Sequence, residues 1–286
     1  MRLVRVGPAG CERPGALLED NSIVDLSDIV DDFDEAFFAS GVITSLPAIV
    51  AGRTGEALAG RRFGAPIARP HQILCVGLNY RDHATETGQK VPTEPILFTK
   101  SPNTLIGPDD DVLILRGAKK TDWEVELGIV IGRRSSYLAD EAAAETSIAG
   151  YVLVNDVSER SWQMERNGQW SKGKSAPSFN PADPYLVTPD DIANVLDLDL
   201  TLGVDGKRRQ HGSTSSMIFS PNFLVYYLSQ FMALEPGDLI NTGTPPGVGM
   251  GQKPPTYLKG GEVMTLSITG LGTQTQRVLG DPSAES

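Results

Sequence analysis

Glu124 and Glu126 stand two positions apart in Asp122-Trp123-Glu124-Val125-Glu126-Leu127-Gly128-Ile129-Val130-Ile131. Aliphatic and β-branched residues dominate this run, so it reads as a β-strand, Trp123–Ile131. Side chains at i and i+2 share a strand face, and the two carboxylates therefore project side by side from an apolar segment. Buried like charges at that spacing are costly unless a cation neutralises them. A hard divalent metal held by carboxylate oxygens answers that cost. The competing reading is an edge strand whose glutamates face water. Asp156 is the best candidate for a third ligand, because it follows the apolar run Tyr151-Val152-Leu153-Val154 through Asn155. Three carboxylates, with waters completing the shell, suit Mg²⁺, Mn²⁺ or Ca²⁺.

His83 is one of three histidines and lies in Gly77-Leu78-Asn79-Tyr80-Arg81-Asp82-His83-Ala84-Thr85-Glu86-Thr87-Gly88. His83 and Glu86 are i, i+3, which makes them neighbours if this segment forms a helical turn. A carboxylate beside an imidazole raises its basicity and fixes its orientation, as a general base requires. A solvated surface turn is the alternative. His71 and His211 have no such partner.

Gly168-Gln169-Trp170-Ser171-Lys172-Gly173-Lys174-Ser175 matches the phosphate-loop spacing G-x-x-x-x-G-K-[ST]. That loop needs a strand before it and a helix after it. Here a polar segment precedes it, and Pro177, Pro181 and Pro184 follow, so no helix continues beyond it. The nucleotide reading is rejected, and Lys174 is kept as a candidate site cation. Asn241-Thr242-Gly243-Thr244-Pro245-Pro246-Gly247-Val248-Gly249 follows a short apolar run. Its glycines permit close approach of backbone to a ligand, and Thr244 offers a hydroxyl to a carboxylate.

The elements that must position these groups are mostly short strands. Met1–Val6, Gly15–Leu18, Ile73–Val76, Ile96–Thr99, Val112–Leu115 and Asp238–Ile240 are apolar runs bounded by Gly, Pro, Asp or Asn. Leu198–Val204 and Arg208–Ile218 flank Asp205-Gly206, a strong hairpin signal. Val263–Ile268 and Thr273–Val278 flank a Gly-Leu-Gly turn. Helices are expected at Leu46–Leu58, Leu138–Ser147 and Asn222–Leu234. The last has Ser220 as N-cap, Pro221 at the first position, and Leu224, Tyr227, Leu228 and Phe231 on one face. This is not βαβ alternation, which argues against a doubly wound parallel sheet. Residues 1–69 read as a small N-terminal domain, with a linker running into a catalytic domain over residues 70–286.

The chain has 286 residues, 40% hydrophobic and 21% charged, as an ordinary globular protein has. Its net charge of −11 argues against nucleic acid or an anionic membrane as the main partner. It leaves room for a small anionic substrate in a locally positive site. Cys11 and Cys75 form no spacing motif, and a reducing, cytoplasmic setting is expected. The start of the chain shows no apolar signal-peptide core, and no apolar run approaches the ~18–20 residues that span a bilayer.

Taken together, GLNYRDHATETG (77–88), DWEVELGIVIG (122–132), NDVSER (155–160), KGKS (172–175) and NTGTPPGVG (241–249) resemble the fumarylacetoacetate hydrolase family, in that family's order. The resemblance implies an α+β, mainly β fold: a mixed β-sandwich or roll behind a small N-terminal domain, assembled as a homodimer. It implies Glu124, Glu126 and Asp156 as ligands of Mg²⁺ or Mn²⁺, and His83 and Glu86 as the pair that activates water. Lys174 is similar to the family's lysine beside metal and substrate. Gln163 and Thr244 resemble substrate-contacting residues, and Arg160 a supporting arginine. Two departures bear on substrate fit. Asp183 stands where relatives commonly have glycine, which predicts a left-handed backbone position or an extra charge near the lysine loop. Ser161 stands where a larger side chain is common.

The implied reaction is hydrolysis of a C–C bond in a 2,4-dioxo acid of acylpyruvate type, giving pyruvate and a carboxylic acid. Decarboxylation, tautomerisation or isomerisation of 2-oxo acids, and ureidoglycolate-type lysis, fit the same residues. A catalytically silent metal-binding homologue is the third reading, and the His83–Glu86 pair argues against it.

Overall fold

The computed structural model describes residues 1–58, 60–86 and 88–281. Its frame is a ten-stranded mixed sheet. In spatial order the strands are Glu56–Ala57, Ser22–Asp25, Arg13–Leu17, Arg2–Val6, Leu186–Val187, Ile148–Asn155, Val125–Ile131, Leu239–Asn241, Ile73–Gly77 and Ile96–Lys100. All neighbours are antiparallel except Leu239–Asn241 against Ile73–Gly77. The leading strands thus continue the same sheet across the 69/70 position. A second sheet has the order Lys207–Ser213, Asp199–Val204, Val263–Ile268, Gly272–Leu279 and Val112–Leu113.

Alternation along the central strands explains how the layers stack. Leu127, Ile129, Ile131, Tyr151 and Leu153 point one way and pack with Leu200, Leu202, Met264, Leu266 and Val278 of the second sheet. Val130, Val152 and Val154 point the other way, onto Phe33, Phe37, Phe38 and Leu46 of the leading segment. Both faces of the strand Val125–Ile131 are therefore covered, which is why apolar residues stand on both of them and Glu126 is its one charged residue. Truncating one of its buried aliphatics to alanine costs about 2–5 kcal/mol.

Local chemistry sets the boundaries. Val204 pairs with Lys207 across Asp205 (φ 50°) and Gly206 (φ 72°), the two positive-φ positions of a tight hairpin turn. The helix Pro221–Ser229 starts as expected: the Ser220 side chain accepts from the Phe223 N–H at 3.1 Å. It ends earlier than Leu234, and its inward face is Leu224, Val225 and Leu228. Phe231 is exposed, and Tyr227 packs against it with ring centroids 4.9 Å apart. The helix expected over Leu46–Leu58 is one turn, Leu46–Val50, because Gly52 and Gly55 follow. The helix expected over Leu138–Ser147 is Glu141–Glu145, capped by Asp140. Among the described residues no helix is long and apolar enough to cross a membrane.

Candidate active site

The expected acidic strand is shorter than its sequence implies. The strand proper is Val125–Ile131, and Glu124 lies immediately before it. Side-chain acceptors replace the ladder there: Asp122 Oδ1 takes the Trp123 N–H at 2.9 Å, and Asn155 Oδ1 takes the Glu124 N–H at 3.1 Å. The Asp156 N–H donates to the Glu124 carbonyl at 2.9 Å, which fixes the two acids relative to each other. One oxygen from each of Glu124, Glu126 and Asp156 lies within 4.8 Å of the others, and all three residues are buried. An all-oxygen set of this size fits a hard divalent cation.

Three buried cations surround the acids. Lys174 Nζ lies 2.5 Å from Glu124 Oε2 and 2.8 Å from Asp156 Oδ2. Arg160 reaches Glu124 at 2.6 Å, Asp122 at 2.8 Å and, through Nη1, Gln163 Oε1 at 3.0 Å. Lys100 pairs with Asp156 and donates to the Phe179 carbonyl at 2.5 Å. Burial raises the Glu124 carboxyl, but Arg160 and Lys174 overcome that and hold it at about 2. Burial also opposes the Lys174 ammonium, but Asp156 and Glu124 outweigh it, so the lysine stays charged.

Glu126 is treated differently. It accepts the Gly243 N–H at 2.8 Å, and among the described residues no lysine or arginine forms an ion pair with it. Burial, then the neighbouring Asp156 and Glu124, push its carboxyl well above the usual range. A cation held by the three carboxylates would offset this repulsion.

His83 and Glu86 share the helix Arg81–Glu86, with His83 Nδ1 3.3 Å from Glu86 Oε2. Both line a cavity of about 540 Å³ together with Glu124, Glu126, Arg160, Gln163, Lys174 and Thr244. The fold thus brings every predicted site residue to one place; Asp156 does not line the cavity itself but is paired with Lys174, which does. Thr244 departs from expectation in detail. Its hydroxyl donates to the Val125 carbonyl at 2.9 Å and accepts from Gln210 at 2.8 Å, so a substrate carboxylate would have to displace the first bond.

The lysine loop is not a phosphate cradle. Ser171–Lys174 is a single helical turn. Gly173 is required there by packing, since a Cβ would lie 2.5 Å from the Glu159 carbonyl. Asp183 does not adopt a left-handed backbone, since its φ is not positive. It is buried, with Oδ2 accepting the Leu153 N–H, and burial pushes its carboxyl well above the usual range. It therefore adds no charge in its neutral form. Ser161 hydrogen-bonds to Glu159 at the start of the helix Arg160–Met164 and does not line the cavity.

Sequence reasoning missed Lys100 and undervalued Asp122. Lys100 closes an apolar strand, and a lone lysine there carries no spacing signal. Asp122 accepts from Arg160 and from the Gly249 and Met250 N–H groups at 2.6 and 3.0 Å. It joins the arginine to the glycine loop, and its place beside Trp123-Glu124 was its only sequence cue.

Residues 72–279 match the family described as fumarylacetoacetate (FAA) hydrolase, C-terminal. The chain belongs to the fumarylacetoacetate hydrolase family. A Burkholderia multivorans relative carried under the name "Putative hydrolase" is 48% identical over 277 residues, covering 96% of this chain and 98% of its own. Among solved structures, a Mycobacterium smegmatis protein titled "putative HpcE" superposes with a TM-score of 0.88 at 36% identity, covering 98% of this chain and 99% of that one. The fumarylacetoacetate hydrolase of Exiguobacterium antarcticum superposes with a TM-score of 0.79 at 34% identity and the same coverage. This chain is therefore a member of a family of enzymes, and the acidic triad, the His83–Glu86 pair and Lys174 all lie within the matched span.

Proposed function

We propose that this chain is a divalent-metal-dependent hydrolase that cleaves a C–C bond in a 2,4-dioxo acid, releasing pyruvate and a carboxylic acid. The observation that carries the reading is the juxtaposition of a buried three-carboxylate cluster, two of whose members line the cavity, with a histidine–glutamate pair that lines the same cavity. Glu124, Glu126 and Asp156 would hold Mg²⁺ or Mn²⁺, which when bound supplies Lewis acidity to the oxo-acid oxygens.

The chain's own groups account for the proton work. Glu86 holds His83 at Nδ1 and so fixes the orientation of the ring. His83 takes a proton from water, whose oxygen forms the new bond to the C4 carbonyl carbon. The C3–C4 bond then breaks, and its electron pair leaves on the pyruvate enolate. The Lys174 ammonium stabilises that charge, and the proton that His83 took is returned at C3, which completes pyruvate and restores the neutral imidazole. A silent binding protein has no use for the pair, which favours an enzyme.

The test is incubation with acetylpyruvate, oxaloacetate and ureidoglycolate in Mg²⁺, in Mn²⁺ and in chelator. Pyruvate plus acetate, released only with metal, is the expected result. Release of CO₂ or urea instead would move the assignment to the related decarboxylase or lyase reactions. Full turnover by the Glu124→Gln, Glu126→Gln double variant would remove the metal from the scheme.

A further inference from the structure

Beyond the charged floor, the cavity has a wall of different chemistry. The Phe98 ring lies with its centroid 5.1 Å from Lys174 Nζ, and Trp170 meets Phe98 edge-on with centroids 5.3 Å apart. The indole rests directly on Gly77, where a Cβ would fall 2.6 Å from Trp170 Cζ3 and 3.7 Å from Ile96 Cγ2. An apolar surface therefore begins beside the site lysine and runs outward.

The same wall has open space behind it. Ile96, Phe98 and Trp170 line both the 540 Å³ cavity and a neighbouring cleft of about 430 Å³. Glycine at position 77 lets the rim of the indole come against the backbone, and the ring stands between the two spaces.

We propose that this wall is the subsite for the substrate's acyl group, that it takes an apolar chain, and that Trp170 is the partition that limits the chain's length. The inference rests on the function proposed above and extends it to the other end of the substrate. An apolar chain gains by leaving water for this wall. A terminal carboxylate would lose its hydration against this wall, because Lys174, the cation beside it, is already engaged by Glu124 and Asp156. Lys253 reaches the cavity from the loop that packs on Glu86, and it is the group a terminal carboxylate would use.

Two measurements test this on the full Mn²⁺-loaded chain. The first is calorimetric titration with straight-chain 2-oxo acids, from pyruvate to 2-oxooctanoate. In the wild type, affinity should rise about three- to fourfold per added methylene and then stop rising where the chain meets the indole. Trp170→Ala should move that break to longer chains, and Trp170→Phe should place it in between. The second is kcat/KM for pyruvate release from acylpyruvates of matching lengths, whose optimum should shift in the same direction. An unchanged break in a folded Trp170→Ala variant overturns the inference. So does tighter binding of a terminal dicarboxylate than of an apolar chain of equal length, lost in Lys253→Ala. Absence of pyruvate from every acylpyruvate overturns the hydrolase reading separately, and the titration still decides the role of Trp170.

Discussion

The Gly247 N–H donates to both carboxylate oxygens of Glu86, at 3.0 and 3.1 Å. Glu86 in turn lies 3.3 Å from His83 Nδ1, so the orientation of the imidazole depends on the loop Asn241–Gly249. That loop also supplies the Gly243 N–H to Glu126. One backbone segment thus touches both the proposed base and the proposed metal ligands.

Gly247 has φ 107°, and a Cβ there would lie 2.1 Å from the Arg209 carbonyl. Gly247→Ala must therefore move the loop and, with it, Glu86. Kinetics should show kcat lowered about a hundredfold, the scale on which a small displacement of a catalytic group is felt. Mn²⁺ titration of the same variant should give nearly wild-type affinity. A parallel loss of metal binding would mean that the loop serves the carboxylates first.

Glu126→Gln should have opposite effects with and without metal. The folded carboxyl titrates well above its ordinary value, pushed by burial and by Asp156 and Glu124. Its ionised form is therefore less favourable folded than unfolded. The resulting cost is absent below the unfolded pKa and grows as pH rises toward the folded one. In chelator the variant should melt above the wild type, by more at pH 8 than at pH 5. With Mn²⁺ the order should reverse, because only the wild type gains the full binding stabilisation. Calorimetric scans at both pH values check this, and a variant that melts lower in chelator would refute it.

The site was legible to the extent that its chemistry ran along the chain. Glu124-x-Glu126 and His83-x-x-Glu86 are short-range spacings, and the fold keeps both as neighbours. The two-sided burial of Val125–Ile131 showed as consecutive apolar residues, Ile129-Val130-Ile131, with no polar alternation. Lys100 stayed invisible because its partner, Asp156, is 56 positions away and only the sheet brings them together. The true start of the acidic strand was hidden for a related reason. Asp122 and Asn155 capture the N–H groups of Trp123 and Glu124, and no strand propensity reports such side-chain competition. The inward face of Pro221–Ser229 was misjudged at Phe231, which lies beyond the helix end that the packing of Leu224 and Leu228 selects.

Lys100→Met should destabilise the chain by about 3–5 kcal/mol, the usual cost of removing one partner from a buried ion pair. Lys100 and Asp156 are both buried, and the lysine also serves the Phe179 carbonyl. Mn²⁺ should recover part of the loss, since a cation on the triad again compensates Asp156. Urea unfolding with and without Mn²⁺ measures both effects. Equal destabilisation in the two conditions would separate Asp156 from the metal site.

Asp183 offers a test of buried charge away from the proposed ligands. Its Oδ2 accepts the Leu153 N–H, while Oδ1 is buried with no partner among the described residues. Burial pushes its carboxyl well above the ordinary value, so the folded chain binds a proton that the unfolded chain releases near pH 4. Stability from this group is complete below that pH. It then falls as pH rises toward the folded pKa, by as much as about 1.4 kcal/mol per pH unit. Asp183→Asn keeps the shape and an acceptor for Leu153 but cannot ionise. The variant should therefore melt close to the wild type at pH 4 and progressively above it from pH 5 to pH 8. A constant offset across that range would show that the carboxyl is ionised in the folded chain and that an unseen partner compensates it.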